Sequence, residues 1–151
     1  MKISEVEFLN VKIGKNVHIV KPSNIYGSEL GDDVFVGPFV EIQKNTKIGN
    51  ATRIQSHTFV CELVEIGSNC FIGHGVMFVN DKFNVKNGPS RDSILWQKCI
   101  IEDNVSIGSN STILPIKICS GSVIGAGSVV TKDLNIKGIY AGNPAKLIRK
   151  I

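Results

Sequence analysis

Aliphatic residues recur every six positions along almost the whole 151-residue chain. The beat falls on Ile13, Ile19 and Ile25, takes one five-residue step to Leu30, and then runs through Val36, Ile42, Ile48, Ile54, Val60, Ile66 and Ile72 to Phe78. It resumes at Ile101, Ile107 and Ile113, takes a second five-residue step to Ile118, and closes on Ile124 and Val130. Seventeen of these eighteen positions are aliphatic and one is Phe. Aliphatics make up roughly a quarter of ordinary sequence, so chance does not produce this pattern. Eight beats are followed at once by Gly: Gly14, Gly31, Gly37, Gly49, Gly67, Gly73, Gly108 and Gly125. Four residues after the beat stands a small or β-branched residue, as at Val34, Val40, Thr46, Thr52, Thr58, Val76, Val105, Ser111 and Ser128.

A period of six suits neither an α-helix nor a long amphipathic strand. It suits a short flat strand followed by a turn, repeated. The beat residue points inward and stacks on its equivalents, and the small residue four later turns inward at a corner. The Gly is expected to take backbone angles that a Cβ forbids. Three such sides close a triangular coil of eighteen residues, so residues eighteen apart stack at the inter-strand spacing of about 4.8 Å. Eighteen beats make about six coils of a parallel β-solenoid, whose repeats bury their apolar faces only by stacking. The two five-residue steps are read as tightened corners. Residues 1–151 form one domain, with a loop insertion over 79–100 and a C-terminal cap over 134–151.

Composition narrows the function. No apolar run reaches membrane-spanning length, and the start MKISEVEFLN lacks the layout of a secretory signal, so a cytoplasmic protein is expected. Cys61, Cys70, Cys99 and Cys119 have neither CxxC nor metal-ligand spacing and read as reduced thiols. The net charge of +4, with Lys146, Arg149 and Lys150 near the end, comes without a nucleic-acid module. An anionic small ligand carrying phosphates fits it better, beside the alternative of an ordinary solvated surface.

The hexads, together with "IGAGSVVTKD" (124–133) and "AGNPAKLIRK" (141–150), resemble the hexapeptide-repeat acyltransferases over nearly the whole chain, about 13–150. That family folds as a left-handed parallel β-helix. Three segments carry a narrower resemblance: "YGSELGDDVFVGPFVEIQ" (26–43), "IQSHTFVCE" (54–62) and "IGHGVMFVNDKF" (72–83). They are similar to nucleotide-sugar N-acetyltransferases, which acetylate an amino group on a dTDP- or UDP-linked deoxyamino sugar, a step in surface polysaccharide synthesis. Where such members continue with a Tyr-Pro-Arg-like run, this chain has Phe83-Asn84-Val85.

The resemblance implies a homotrimer with the active site in the groove between neighbouring prisms, acetyl-CoA as co-substrate and no metal. The beat stops at residues 79–100, a loop containing Asn80, Asp81, Gly88, Pro89 and Trp96. A long unrepeated loop in a regular solenoid is usually functional, the alternative being a tolerated insertion at a corner. By resemblance Asn80 contacts the substrate amine. The Asp81 carboxylate is placed to hold the ammonium or a sugar hydroxyl, and Phe83 joins the substrate-binding set. Asn-Asp is also good turn chemistry.

His57 and His74 are the candidate general bases. They lie three and two residues after their beats, both outward positions, and seventeen apart, so they belong on neighbouring coils near one edge. His18 lies far from the loop. Some members of the family use no side-chain base, the departing thiolate taking the proton. For acetyl-CoA the resemblance places the pantetheine arm on backbone at Gly108, Ser109 and Ala126, with its phosphates near Lys132, Lys146 and Arg149. Asn143 as N-cap and Pro144 at the first helical position predict a short C-terminal helix closing the open end.

Three other readings use the same fold. A zinc-dependent carbonic anhydrase-like site needs three convergent histidines, and the spacing of five that puts two on one coil is absent. A non-catalytic scaffold has no use for a polar loop, outward histidines and a basic C-terminal segment together. A sugar O-acetyltransferase is the closest alternative, because a hydroxyl nucleophile demands a base. No nucleic-acid or membrane partner is expected.

Overall fold

The computed structural model describes residues 8–82 and 93–151. The chain is a left-handed parallel β-helix of about seven turns. Three faces carry seven, six and eight strands. The first runs from Phe8–Leu9 to Val129–Val130, the second from Lys12–Ile13 to Lys117–Ile118, and the third from His18–Ile19 to Gly138–Ala141 and Lys146–Lys150. Most strands are two residues long, because each side of the triangle leaves room for little more between corners. Register follows the repeat: Phe35 pairs with Arg53, Arg53 with Phe71, and Phe71 with Ser106 across the loop.

The beat residues from Ile25 to Val130 are all buried. Ile13 is 51% exposed, its strand being the outermost of its face among the described residues. Full burial of each aliphatic contributes about 1.5–3 kcal/mol. The residue four after the beat is also buried, and where it is polar the backbone satisfies it. Thr52 Oγ1 donates to the Gly67 carbonyl at 2.7 Å, Thr58 Oγ1 to Gly73 at 3.0 Å, and Ser128 Oγ to Gly125 at 2.6 Å. The five-residue steps lie at tighter corners that turn Ser28 and Ile116 inward.

Three expectations need correction. The count of about six coils falls short by one. Phe8–Leu9 pairs with Ile25-Tyr26 and adds a strand at the start. At the other end Leu134 bridges to Ile118, and Tyr140 pairs over Ile124. Leu134 and Tyr140, 7% and 6% exposed, plug the core there, with Tyr140 donating its hydroxyl to the Ile136 carbonyl at 2.6 Å.

The glycines after the beat do not take left-handed angles. Those fall two residues later, at Asn16, Asp33, Asn45, Asn69, Asn104 and Asn110 among others, with φ between 55° and 60°. The glycines are there because coils touch. A Cβ on Gly108 would lie 2.4 Å from the Ala126 nitrogen, and one on Gly49 2.5 Å from the Gly67 carbonyl carbon.

The C-terminal segment is not helical. Gly138–Ala141 and Lys146–Lys150 form an antiparallel hairpin that turns at Gly142, φ 103°. So short a helix is unfavourable by itself, whereas the open edge of Gly138–Ala141 offers backbone partners.

Candidate active site

Each coil passes from the third face to the first through a four-residue corner. Successive corners read Gln55-Ser56-His57-Thr58, Gly73-His74-Gly75-Val76, Gly108-Ser109-Asn110-Ser111 and Gly125-Ala126-Gly127-Ser128. The third residue is left-handed every time: His57 at φ 64°, Gly75 at 66°, Asn110 at 58° and Gly127 at 69°. Its N–H donates to the carbonyl of the second residue one coil below. Gly75 N reaches Ser56 O at 2.9 Å, Asn110 N reaches His74 O at 2.8 Å, and Gly127 N reaches Ser109 O at 2.8 Å. The second residues therefore stack in a column, Ser56, His74, Ser109, Ala126. Five of the anticipated residues (His57, His74, Gly108, Ser109 and Ala126) share this one edge.

Two features give the column chemistry. The N–H groups of Ser56, His74, Ser109 and Ala126 meet no intramolecular acceptor among the described residues, and they stand free for a ligand carbonyl or oxyanion. The exposed His74 ring is held by a hydrogen bond of 2.8 Å between its Nδ1 and Ser56 Oγ, which leaves Nε2 for a substrate. His57 is held differently, lying flat on Phe39 with centroids 4.9 Å apart and planes 28° apart. Neither Ser56 nor Phe39 was singled out from the sequence. Both stand eighteen residues before the ring they support, so the coil period itself was the signal. His18 is elsewhere, edge-on to Phe35 on the third face.

Asn80, Asp81 and Lys132 occupy a different corner, where the chain passes from the first face to the second. Asn80 Nδ2 donates to the Glu62 carbonyl at 3.3 Å, and Gln97 N donates to the Asn80 carbonyl at 2.8 Å, so Asn80 ties both ends of the loop to the wall. His74 and Asn80 stand at opposite ends of one face. Five residues lie between them, including the strand Met77–Phe78. Phe83 lies outside the described residues.

Lys146 and Arg149, both exposed, lie on the last strand. On a regular strand residues three apart face opposite ways. Here the register shifts, with Lys146 opposite Ala141 and Arg149 opposite Ile139, and the bulge at Ile148 returns both cations to the outward side. Ala141 stacks over Gly125, so Lys146 stands at the C-terminal end of the His74 column.

Three of the four cysteines are poor nucleophiles. Burial pushes the Cys61 and Cys99 thiols up to about 12, and raises Cys70 as well. Among the described residues no three His, Cys, Asp or Glu side chains are grouped to hold a metal, and no helix is long and apolar enough to cross a membrane.

The chain is similar to several known proteins. Residues 27–62 match the bacterial transferase hexapeptide (six repeats), and residues 98–132 match the hexapeptide repeat of succinyl-transferase. Bifunctional protein GlmU of Listeria monocytogenes serotype 4a is 35% identical over 145 residues, covering 85% of this chain. The chain spans only 29% of that relative's length. Among solved structures, a point mutant of AntD, an N-acyltransferase from Bacillus cereus bound to dTDP and coenzyme A, superposes with a TM-score of 0.80. It is 26% identical, and the match covers 94% of this chain and 84% of AntD. The hexapeptide-repeat acetyltransferase VCA0836 of Vibrio cholerae O1 biovar eltor, bound to acetyl coenzyme A, gives 0.72 at 26% identity over 82% of this chain and 70% of its own.

Proposed function

The chain belongs to the hexapeptide-repeat acyltransferases, and we propose that it moves an acetyl group from acetyl-CoA to the amino group of a nucleotide-linked amino-deoxysugar. The observation that carries this is the column at one corner, where an oriented imidazole stands beside free backbone N–H groups. The coenzyme A and dTDP bound by AntD support the two ligand classes.

The amine nitrogen attacks the thioester carbonyl, a C–N bond forms, and the C–S bond breaks as coenzyme A leaves as thiolate. The ammonium proton passes to His74 Nε2. Backbone N–H groups at Ser109 and Ala126 hold the pantetheine amides and the developing oxyanion, a donor of that kind being worth about 3–4 kcal/mol. Lys146 and Arg149 meet the phosphates of acetyl-CoA.

Asn80 and Asp81 reach the amine from a neighbouring copy in a homotrimer, with Lys132 at the same groove. The faces differ in a way that supports this. The second face carries ion pairs (Lys12–Glu29 at 2.9 Å, Lys98–Glu65 at 2.7 Å) and suits water. The first and third faces flank the column with Met77 and Phe71, each 42% exposed. Copies carrying Asn80→Ala and copies carrying His74→Ala, mixed in one assembly, are expected to recover activity that neither shows alone. No recovery would return the site to a single chain.

Sugar O-acetylation is the second reading, because the Ser56–His74 pair supplies the base that a hydroxyl needs. Thiol release from acetyl-CoA with a panel of dTDP- and UDP-linked 3-amino and 4-amino sugars decides between them. Turnover lost when the hydroxyl counterpart replaces the amine supports N-acetylation. Turnover with hydroxyl sugars only would overturn it in favour of the alternative, and silence with no acetyl-CoA binding would leave a scaffold.

A further inference from the structure

We infer that Ser56 is the positioning residue of this site, fixing the tautomer of His74 by accepting a hydrogen bond from its Nδ1–H. The inference rests on His74 acting as proposed above. A neutral imidazole carries one ring proton, and only the nitrogen without it can accept another. For Nε2 to take the ammonium proton, Nδ1 must hold the ring hydrogen. Ser56 Oγ lies 2.8 Å from that nitrogen and has no other side-chain bond among the described residues. The Ser56 hydroxyl hydrogen is then free to point to water, since both side chains are at the surface. The contact is imposed by the fold. Ser56 and His74 hold the same position on successive coils, and the Gly75 N to Ser56 O bond at 2.9 Å fixes one corner over the other.

The same column shows why His74 rather than His57 receives this support. His74 lies directly below Ser109, whose N–H is free, whereas His57 is one coil lower with its ring face spent on Phe39. Among the described residues no hydrogen-bond partner of His57 Nδ1 or Nε2 selects a tautomer. Without Ser56, His74 would drift toward the Nε2–H form that a free imidazole favours, and its outward nitrogen would become a donor.

Nitrogen-15 NMR of the whole protein, with His74 assigned through the His74→Gln spectrum, reads the tautomer directly and needs no sugar. The wild type is expected to hold Nδ1–H, and Ser56→Ala to shift His74 toward Nε2–H. A wild type already in the Nε2–H form, or a tautomer that Ser56→Ala leaves unmoved, would overturn the inference. In turnover, Ser56→Ala is expected to lower kcat about tenfold, a fraction of the 10²–10⁴ that a positioned base supplies, with KM for acetyl-CoA unchanged. In a His74→Gln background the same substitution should cost nothing further, because Ser56 acts only through that ring. An equal loss in both backgrounds would make Ser56 a structural residue. If none of the amino sugars is acetylated, the spectra still decide the role of Ser56 while the substrate reading fails alone.

Discussion

Two corners of this prism share a backbone and differ in what caps it. Where the second face turns into the third, a side chain closes the N–H of the turn's second residue at four of the six described positions, Asn50 and Asp103 being the exceptions. Lys15 N donates to Asp32 Oδ1 at 2.7 Å, Asp32 N to Asn50 Oδ1 at 2.9 Å, and Ser68 N to Asp103 Oδ1 at 2.7 Å. Ser120 N completes the run with Glu102 Oε2 below it at 2.8 Å. Where the third face turns into the first, the equivalent positions are Ser56, His74, Ser109 and Ala126, and their N–H groups are left open. One corner uses short acidic and amide side chains to complete itself. The other withholds them and leaves its N–H groups open to the ligand proposed above. A site in a solenoid is thus recognised by the missing cap as much as by the histidine.

The largest effect expected from breaking this contrast is His74→Ala. It should lower kcat by about 10² or more while leaving the fold intact, since the ring is exposed and only Ser56 holds it. Steady-state kinetics beside a thermal melt will check both halves.

Closing the open corner comes next. Ala126→Asn places over Ser109 the same side chain that Asn50 places over Asp32. It should raise KM for acetyl-CoA about tenfold, the equivalent of one lost hydrogen bond, with a small gain in melting temperature. Unchanged affinity would mean that the Ser109 N–H is not a coenzyme contact.

Opening the closed corner should do the reverse. Asp103→Ala removes the acceptor for Ser68 N and should cost about 1 kcal/mol of stability without touching kcat. The smallest expected signal belongs to the thiols. Cys70 Sγ donates to the Glu102 carbonyl at 3.2 Å beneath this corner, and burial raises its pKa. A raised thiol pKa keeps thiolate scarce at pH 8, so modification waits for opening and quickens as pH rises. Asp103→Ala should speed reaction at Cys70 with a disulfide reagent, and Ala126→Asn should not. Cys61 and Cys99, pushed to about 12 by burial, should stay protected in both until denaturant is added.

The period alone disclosed the fold because every coil repeats one physical task, burying an aliphatic against the coil below. Ile66, Ile72 and Phe78 could be assigned inward before any coordinates, and all three are buried. The same arithmetic put His57 and His74 on one edge. It failed where the period ends. Tyr140 replaces an aliphatic on the last coil, and Asn143-Pro144 carries a helix-start signal that the free edge of Gly138–Ala141 overrides. The role of the beat glycines was misassigned because one sequence shows that a Cβ is absent without showing what stands in its place. Asn80 was legible as the end of the beat. Its corner was countable too, but the partner proposed to face it lies outside a single sequence.

Across the loop the wall continues as though nothing had been inserted. Val64 pairs with Cys99, Phe71 with Ser106 and Met77 with Thr112, with the partners of each coil in their usual places. The register of the Ser56–Ala126 column is therefore independent of the segment inserted between Asp81 and Lys98. Residues can be exchanged, added or removed between Asp81 and Lys98 without retuning the spacing of Ser56, His74 and Ser109. On the function proposed above, a lineage can try new acceptors while the column stays in register.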